Sequence, residues 1–110
     1  GNGTQRREFL FADDFADAVI YALHHYDHDA PVNIGYGKDI AIRELAGLVA
    51  AVTGYAGTLK WDHTKADGTP QKLLDTSRLE DLGWSPHTTL HDGLTLTYQW
   101  FLKHQDDARL

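Results

Sequence analysis

Two stretches carry residue types that suit a ligand: Arg6-Arg7-Glu8, and Lys65-Ala66-Asp67-Gly68-Thr69-Pro70-Gln71-Lys72. An arginine at a strand end presents a planar fork that matches a phosphate through two parallel hydrogen bonds. Asp67 can bond the vicinal hydroxyls of a sugar, and Gly68 lets backbone approach a ligand closely. Lys65 and Lys72 add positive charge for an anion, and Pro70 stiffens the exit of the loop. Each stretch also has a plainer reading. Arg7 can pair with Glu8 or a neighbouring aspartate on the surface, where such a bridge is worth little. Gly68 and Pro70 can simply set turn geometry. The residues alone permit a phosphorylated or sugar-bearing ligand without requiring one.

Other clusters are weaker. In His24-His25-Tyr26-Asp27-His28-Asp29, His24 and His28 stand four apart and on one helical face would share a metal ion. The plainer reading is a solvated helix end whose imidazoles interact favourably with the dipole. Asp13, Asp14 and Asp17 form a possible acid/base group, but first-turn carboxylates are favoured by the dipole in any case. Ser77 and Ser85 are the only serines, and neither sits in a nucleophile elbow. Gly1-Asn2-Gly3-Thr4 lacks a preceding strand and a third glycine at the dinucleotide spacing, so no Rossmann fingerprint is expected here.

Composition sets the frame. The 110 residues are 42% hydrophobic and 24% charged, which fits one ordinary globular domain spanning 1–110. A chain of this size buries about 65% of its unfolded surface. With no cysteine, disulfides and thiolate chemistry are excluded within it. Sixteen acidic and ten basic residues give a formal charge of −6, the wrong sign for a nucleic-acid module. No apolar run approaches the ~20 residues of a membrane span, and a cytoplasmic location is the default. The opening Gly1-Asn2-Gly3-Thr4, without methionine, reads as the start of an excised piece.

The elements that must hold these residues follow from pattern. Glu8–Phe11 reads as a strand, with Asp13 and Asp14 as N-cap candidates for an amphipathic helix over 13–26. Val32–Ile34 reads as a short buried strand. Ile42, Leu45, Ala46, Val49 and Val52 mark a second helix closed by Gly54. Thr58–Trp61 suits a third strand, before a loop over 62–72. Asp75 or Thr76 caps a short helix ending near Gly83, and Thr89-Leu90-His91-Asp92 starts a last helix to about 104. A polar, frayed tail is expected from Gln105. The order is β-α-β-α-β-loop-α-α, an α/β (α+β) class with too few strands for a doubly wound sheet.

Together the pieces resemble a known family. Arg7-Glu8-Phe9-Leu10-Phe11-Ala12-Asp13-Asp14 and Leu82-Gly83-Trp84-Ser85-Pro86 are similar to segments of the extended short-chain dehydrogenase/reductases (the NAD-dependent epimerase/dehydratase family) that act on nucleotide sugars. Val32–Gly35, Ile42–Ala46 and Asp75–Leu79 follow in the family order. Lys65-Ala66-Asp67-Gly68-Thr69-Pro70-Gln71-Lys72-Leu73-Leu74-Asp75 resembles the K-P-D-G-T-P-R-K-L-L-D stretch of the GDP-L-fucose synthase family, and Gly93-Leu94 with Thr97–Leu102 also matches. Gln5, Phe11, Ala41, Ala66 and Gln71 depart from the usual residues, and Gln71 in place of arginine weakens the case for an anion site.

The resemblance implies an NADP(H)-dependent enzyme that epimerises GDP-4-keto-6-deoxy-D-mannose at C3 and C5 and reduces C4 to give GDP-L-fucose. It implies that this chain is the C-terminal substrate-binding domain, with the Rossmann half, the cofactor site and every catalytic group upstream. By position, Arg7 and Asp67 correspond to GDP-sugar contacts and Lys72 is a third. No cofactor, metal or catalytic residue is expected in the chain, and alone it is expected to be inactive. Its partners would be a GDP-sugar and its own N-terminal Rossmann domain, with no nucleic acid and no membrane. The parent would be a homodimer and the fragment a monomer. The alternatives are another NDP-sugar epimerase or dehydratase, and a non-catalytic interaction module with a metal at His24 and His28.

Overall fold

A computed structural model describes residues 1–108. Strand β1 (Arg6–Arg7) is followed by helix α1 (Ala12–His25), β2 (Ile40–Ala41), α2 (Ile42–Thr53), β3 (Gln71–Lys72), α3 (Ser77–Asp81) and α4 (Leu90–Lys103). The strands form one small sheet in the order β2-β1-β3. β2 runs antiparallel to β1, pairing Arg6 with Ala41 and Arg7 with Ile40. β3 runs parallel to it, pairing Arg6 with Gln71 and Arg7 with Lys72.

The four helices lie where the sequence predicts them, α1, α2 and α4 from their apolar spacing and α3 from its capping residues and Gly83. α2 ends at Gly54, whose φ of 74° is the left-handed conformation that glycine adopts most readily. Thr89 caps α4 by accepting the Asp92 N–H at 3.2 Å, the expected capping pattern with aspartate in the third position. α1 differs at its start. Phe11 occupies the N-cap position without a side-chain bond, and Asp13 and Asp14 lie inside the first turn. Asp14 does not cap because its carboxylate is engaged elsewhere: it accepts the N–H groups of His87 and Thr88 and the Thr88 hydroxyl.

The strands are displaced from the expected runs. None of Glu8–Phe11, Val32–Ile34 or Thr58–Trp61 joins a ladder. Just after β1, the Glu8 carboxylate accepts the N–H groups of Tyr36 and Gly37, each at 3.0 Å, and of Leu74 at 2.7 Å. These backbone groups are therefore satisfied by a side chain rather than a neighbouring strand. Val32 and Ile34 pack on the core, while Asn33 Nδ2 reaches the Asp75 carbonyl oxygen. Leu59 instead lines a groove against Leu45, Val49 and Tyr55.

The core is small. Ala18 of α1, Leu79 of α3 and Trp84 are buried, with Leu10, Tyr21, Val32, Ile34 and Leu82 packed around them. The Tyr21 hydroxyl donates to the Leu82 carbonyl at 2.6 Å, closing the α1–α3 contact. Gly83 then turns with φ of 100°, and a Cβ there would stand 2.8 Å from the Tyr21 hydroxyl, so position 83 needs glycine twice over. The described end of the tail is turned rather than frayed, since the Asp107 and Ala108 N–H groups both reach the His104 carbonyl. Residues 109 and 110 lie outside the described residues.

Candidate functional site

The β1–β3 pairing joins the two ligand-like stretches of the sequence. Arg7 and Lys72 are directly paired across the parallel ladder. Paired residues project to the same face, and successive residues alternate, so Arg7 and Lys72 share one face while Arg6 and Gln71 share the other. Gly68 lies beside the first pair: a Cβ built on it would approach Arg7 Nη2 to 3.8 Å, and its φ of 75° is left-handed. Asp67, the next residue back, accepts the Asn2 N–H at 2.6 Å through one carboxylate oxygen. The three sequence candidates Arg7, Asp67 and Lys72 are thus held by one ladder and the loop entering it.

The two arginines of β1 are held differently. Arg6 Nε donates to Asp39 Oδ1 at 2.8 Å, an ion pair in which the aspartate side chain is only 11% exposed. Gln71 Nε2 donates to the other Asp39 oxygen. These bonds, the one from Gln71 foremost and the one from Arg6 next, hold the Asp39 carboxyl below the usual carboxylate range. Arg7 gives one hydrogen bond, from Nη1 to the carbonyl of Arg6 at 2.7 Å. Among the described residues it has no carboxylate within ion-pair distance, and neither does Lys72. The Arg7–Glu8 bridge of the plainer sequence reading does not form, because Glu8 is spent on three backbone N–H groups. The face therefore offers two uncompensated cations, suited to an anionic group such as a phosphate.

Gln71 stands differently from its place in the sequence argument. It points to Asp39 on the opposite face, so a glutamine here removes no cation from the Arg7–Lys72 side. Asp39 itself escapes sequence reasoning. It lies 33 residues from Arg6 in a stretch without periodicity, and only the antiparallel arrival of β2 brings it to the ladder. Arg43, Asn2 and Trp61 form a further unanticipated contact. Arg43 donates to the Asn2 carbonyl at 2.6 Å and lies over the Trp61 ring, 5.6 Å from its centroid.

The remaining candidates disperse. α1 ends at His25 and Tyr26 is extended, so His24 and His28 do not share a helical face. Among the described residues no three metal-ligating side chains come together. Asp13, Asp14 and Asp17 do not form a carboxylate group. Asp14 holds His87 and Thr88, and Asp17 accepts from Trp84 Nε1 and bonds His87 Nε2, both at 2.9 Å. These bonds, the Trp84 one first, depress the Asp17 carboxyl below its ordinary range. No helix among the described residues is long and apolar enough to cross a membrane.

With this geometry in place, the kinships are specific. Residues 1–35 match the model of the NAD dependent epimerase/dehydratase family. The chain is 53% identical over 104 residues to "GDP-L-fucose synthase 1" of Arabidopsis thaliana, covering 94% of the chain and 32% of that protein. Among solved structures, a GDP-mannoheptose C4 reductase from Campylobacter jejuni with NADP bound superposes with a TM-score of 0.81 at 35% identity, over 93% of this chain and 33% of that one. A GDP-L-fucose synthetase from Naegleria fowleri bound to NADP has the same fold, with a TM-score of 0.95 at 24% identity, over 100% of this chain and 35% of that one. The chain is thus similar to the NAD dependent epimerase/dehydratase family over residues 1–35 and shares the fold of the Naegleria enzyme over its whole length. Its relatives include GDP-L-fucose synthases and related GDP-sugar reductases, and it spans about a third of their length.

Proposed function

We propose that the chain is the GDP-sugar-binding portion of an enzyme like the GDP-L-fucose synthases. In that enzyme, GDP-4-keto-6-deoxy-D-mannose is converted to GDP-L-fucose by 3,5-epimerisation and NADPH-dependent reduction at C4. The observation that carries the reading is the Arg7–Lys72 pair, two cations without carboxylate partners beside the Gly68 turn. Arg7 would hold a phosphate of GDP through its remaining guanidinium donors, and Lys72 would add a point charge next to it. The free oxygen of Asp67 would accept a sugar hydroxyl, its other oxygen being anchored by Asn2.

NADP does not fit the glycines of this chain. Gly3 is buried against Trp61, with a built Cβ only 2.7 Å from the ring, and the Asn2 N–H is already given to Asp67. A pyrophosphate cradle is built at a strand-to-helix turn, and this segment instead leads into strand β1. In this proposal the cofactor and the catalytic groups belong to the rest of the protein, and 1–110 acts as a single substrate-binding domain, inactive by itself.

Packing supports a covalently joined partner domain. The radius of gyration is 16.4 Å, against about 13 Å expected for a compact domain of this length. On α1, Phe15, Val19, Ile20 and Leu23 are left exposed, Leu23 at 78%, as are Leu96 and Trp100 on α4. An apolar stripe of this size is the signature of a surface normally covered. The occupant we assign is the enzyme's own N-terminal Rossmann domain, in a cytoplasmic protein whose dimer contacts lie in that other portion.

Titration of GDP into isotopically labelled protein tests the reading. Amide shifts are expected at Arg7, Asp67, Gly68 and Lys72, and shifts confined to His24–His28 would refute it. The likeness to a GDP-mannoheptose C4 reductase favours one neighbouring reading, a related GDP-sugar reductase or epimerase. Assaying the product of the complete reading frame against several GDP-4-keto sugars separates the two.

A further inference from the structure

The sheet that presents Arg7 and Lys72 is only two residues long in each strand. So short a ladder specifies its register weakly, and a slip of one residue turns every side chain to the opposite face. In β3 such a slip would replace Lys72 by Gln71 on the ligand side. Something beyond the ladder must hold it, and one side chain on the reverse face touches the partners on both paired strands. Asp39, immediately before β2, takes Arg6 Nε of β1 on one oxygen and Gln71 Nε2 of β3 on the other. Because Arg6 and Gln71 are themselves ladder partners, both bonds can form only in the observed register.

We infer that Asp39 is a positioning residue for the Arg7–Lys72 pair, and that Gln71 serves this clamp rather than the ligand. The inference rests on the reading of the Arg7 face as the GDP-sugar site. The clamp is well placed to fix the register. The Asp39 side chain is largely shielded while Arg6 is 43% exposed, so the bond between them is more sheltered from water than an open surface pair. Its chemistry also predicts a tolerance at position 71. An amide and a guanidinium both donate to a carboxylate, so either satisfies the second oxygen of Asp39 without changing the cations on the opposite face.

The test uses protein expressed from its complete reading frame, with GDP as the probe, its dissociation constant measured by calorimetry and unfolding followed in parallel. Asp39→Asn and Gln71→Ala are each expected to weaken GDP binding about fivefold to tenfold at a temperature where both remain folded. Gln71→Arg is expected to stay within about threefold of the parent, restoring what alanine loses. A merely structural clamp would lower the unfolding midpoint and leave the dissociation constant of the folded protein unmoved. If Asp39→Asn does not fold, the Gln71 pair carries the test. Changes below about threefold for Gln71→Ala overturn the inference, and so does a gain of about tenfold for Gln71→Arg, which would put position 71 against the ligand. Arg7→Ala separates the two levels: no effect there removes the site itself, whereas a large loss there with unmoved Asp39 and Gln71 variants removes the clamp alone.

Discussion

The α1–α4 end and the β1–β3 ladder use charged side chains in opposite ways. At the first, Asp14 accepts from His87 and Thr88 on both of its oxygens, and Asp17 from Trp84 and His87 on one, so each carboxylate is engaged by protein donors. At the second, Arg6 and Gln71 are consumed by Asp39, but Arg7 keeps guanidinium donors free and Lys72 has no acidic partner among the described residues. A saturated polar group contributes to folding, since leaving its partners unmet would be costly. An unsaturated cation on an open face contributes little to folding and is available to an anion. The distinction separates residues that build the domain from residues that serve a ligand, even though both sets are charged.

Substitutions can break or sharpen that contrast. The largest effect is expected from Trp84→Ala, which empties the centre of the core and leaves Asp17 without its indole donor. Urea unfolding should register a loss of about 3–5 kcal/mol. Asp14→Ala strands two backbone N–H groups and a hydroxyl at the entry to α4 and should cost about 1–3 kcal/mol by the same measurement. A comparable loss of GDP affinity in that variant, measured while folded, would dissolve the contrast. Gly68→Ala forces a side chain into φ of 75° and should cost about 1–2 kcal/mol, with weaker GDP binding because the turn beside Arg7 shifts. Thr89→Ala removes the α4 cap and should cost about 1 kcal/mol without touching GDP.

The smallest effect concerns acid. Asp17 titrates below its ordinary range in the fold, because the Trp84 and His87 hydrogen bonds favour the carboxylate. Its contribution to stability is therefore complete above about pH 4, where the unfolded group ionises, and is lost as pH falls through the depressed folded value. Asp17→Asn should flatten that part of the acid unfolding curve while leaving its neutral limb in shape. An unchanged acid limb would mean that Asp17 does not supply it.

How legible each part was depends on what holds it. Helices announce themselves because their apolar residues recur every three or four positions, so α1, α2 and α4 fall within a residue or two of expectation. The strands do not. Phe9-Leu10-Phe11 and Val32-Asn33-Ile34 look like strands because they are apolar, yet they pack without a ladder. Of the three true strands, Arg6–Arg7 and Gln71–Lys72 are polar and exist only because distant segments meet. The ligand face was partly visible for the same reason. Arg7, Asp67 and Lys72 sit in stretches whose local chemistry is conspicuous, while Asp39 becomes meaningful only once β2 has folded back. Glu8 reads in the sequence as a surface ion-pair partner, and its actual role of holding loops at Tyr36–Gly37 and Leu74 has no local signature.

The division between a saturated end and an available face is tested most directly by GDP affinity in two variants, Arg7→Ala and Asp14→Ala, measured side by side in folded protein. The expected result is a loss of about tenfold or more for Arg7→Ala with unfolding nearly unchanged, and a change within about twofold for Asp14→Ala despite its lowered stability. Equal affinities for Arg7→Ala and the parent, or a larger loss at Asp14 than at Arg7, would contradict it.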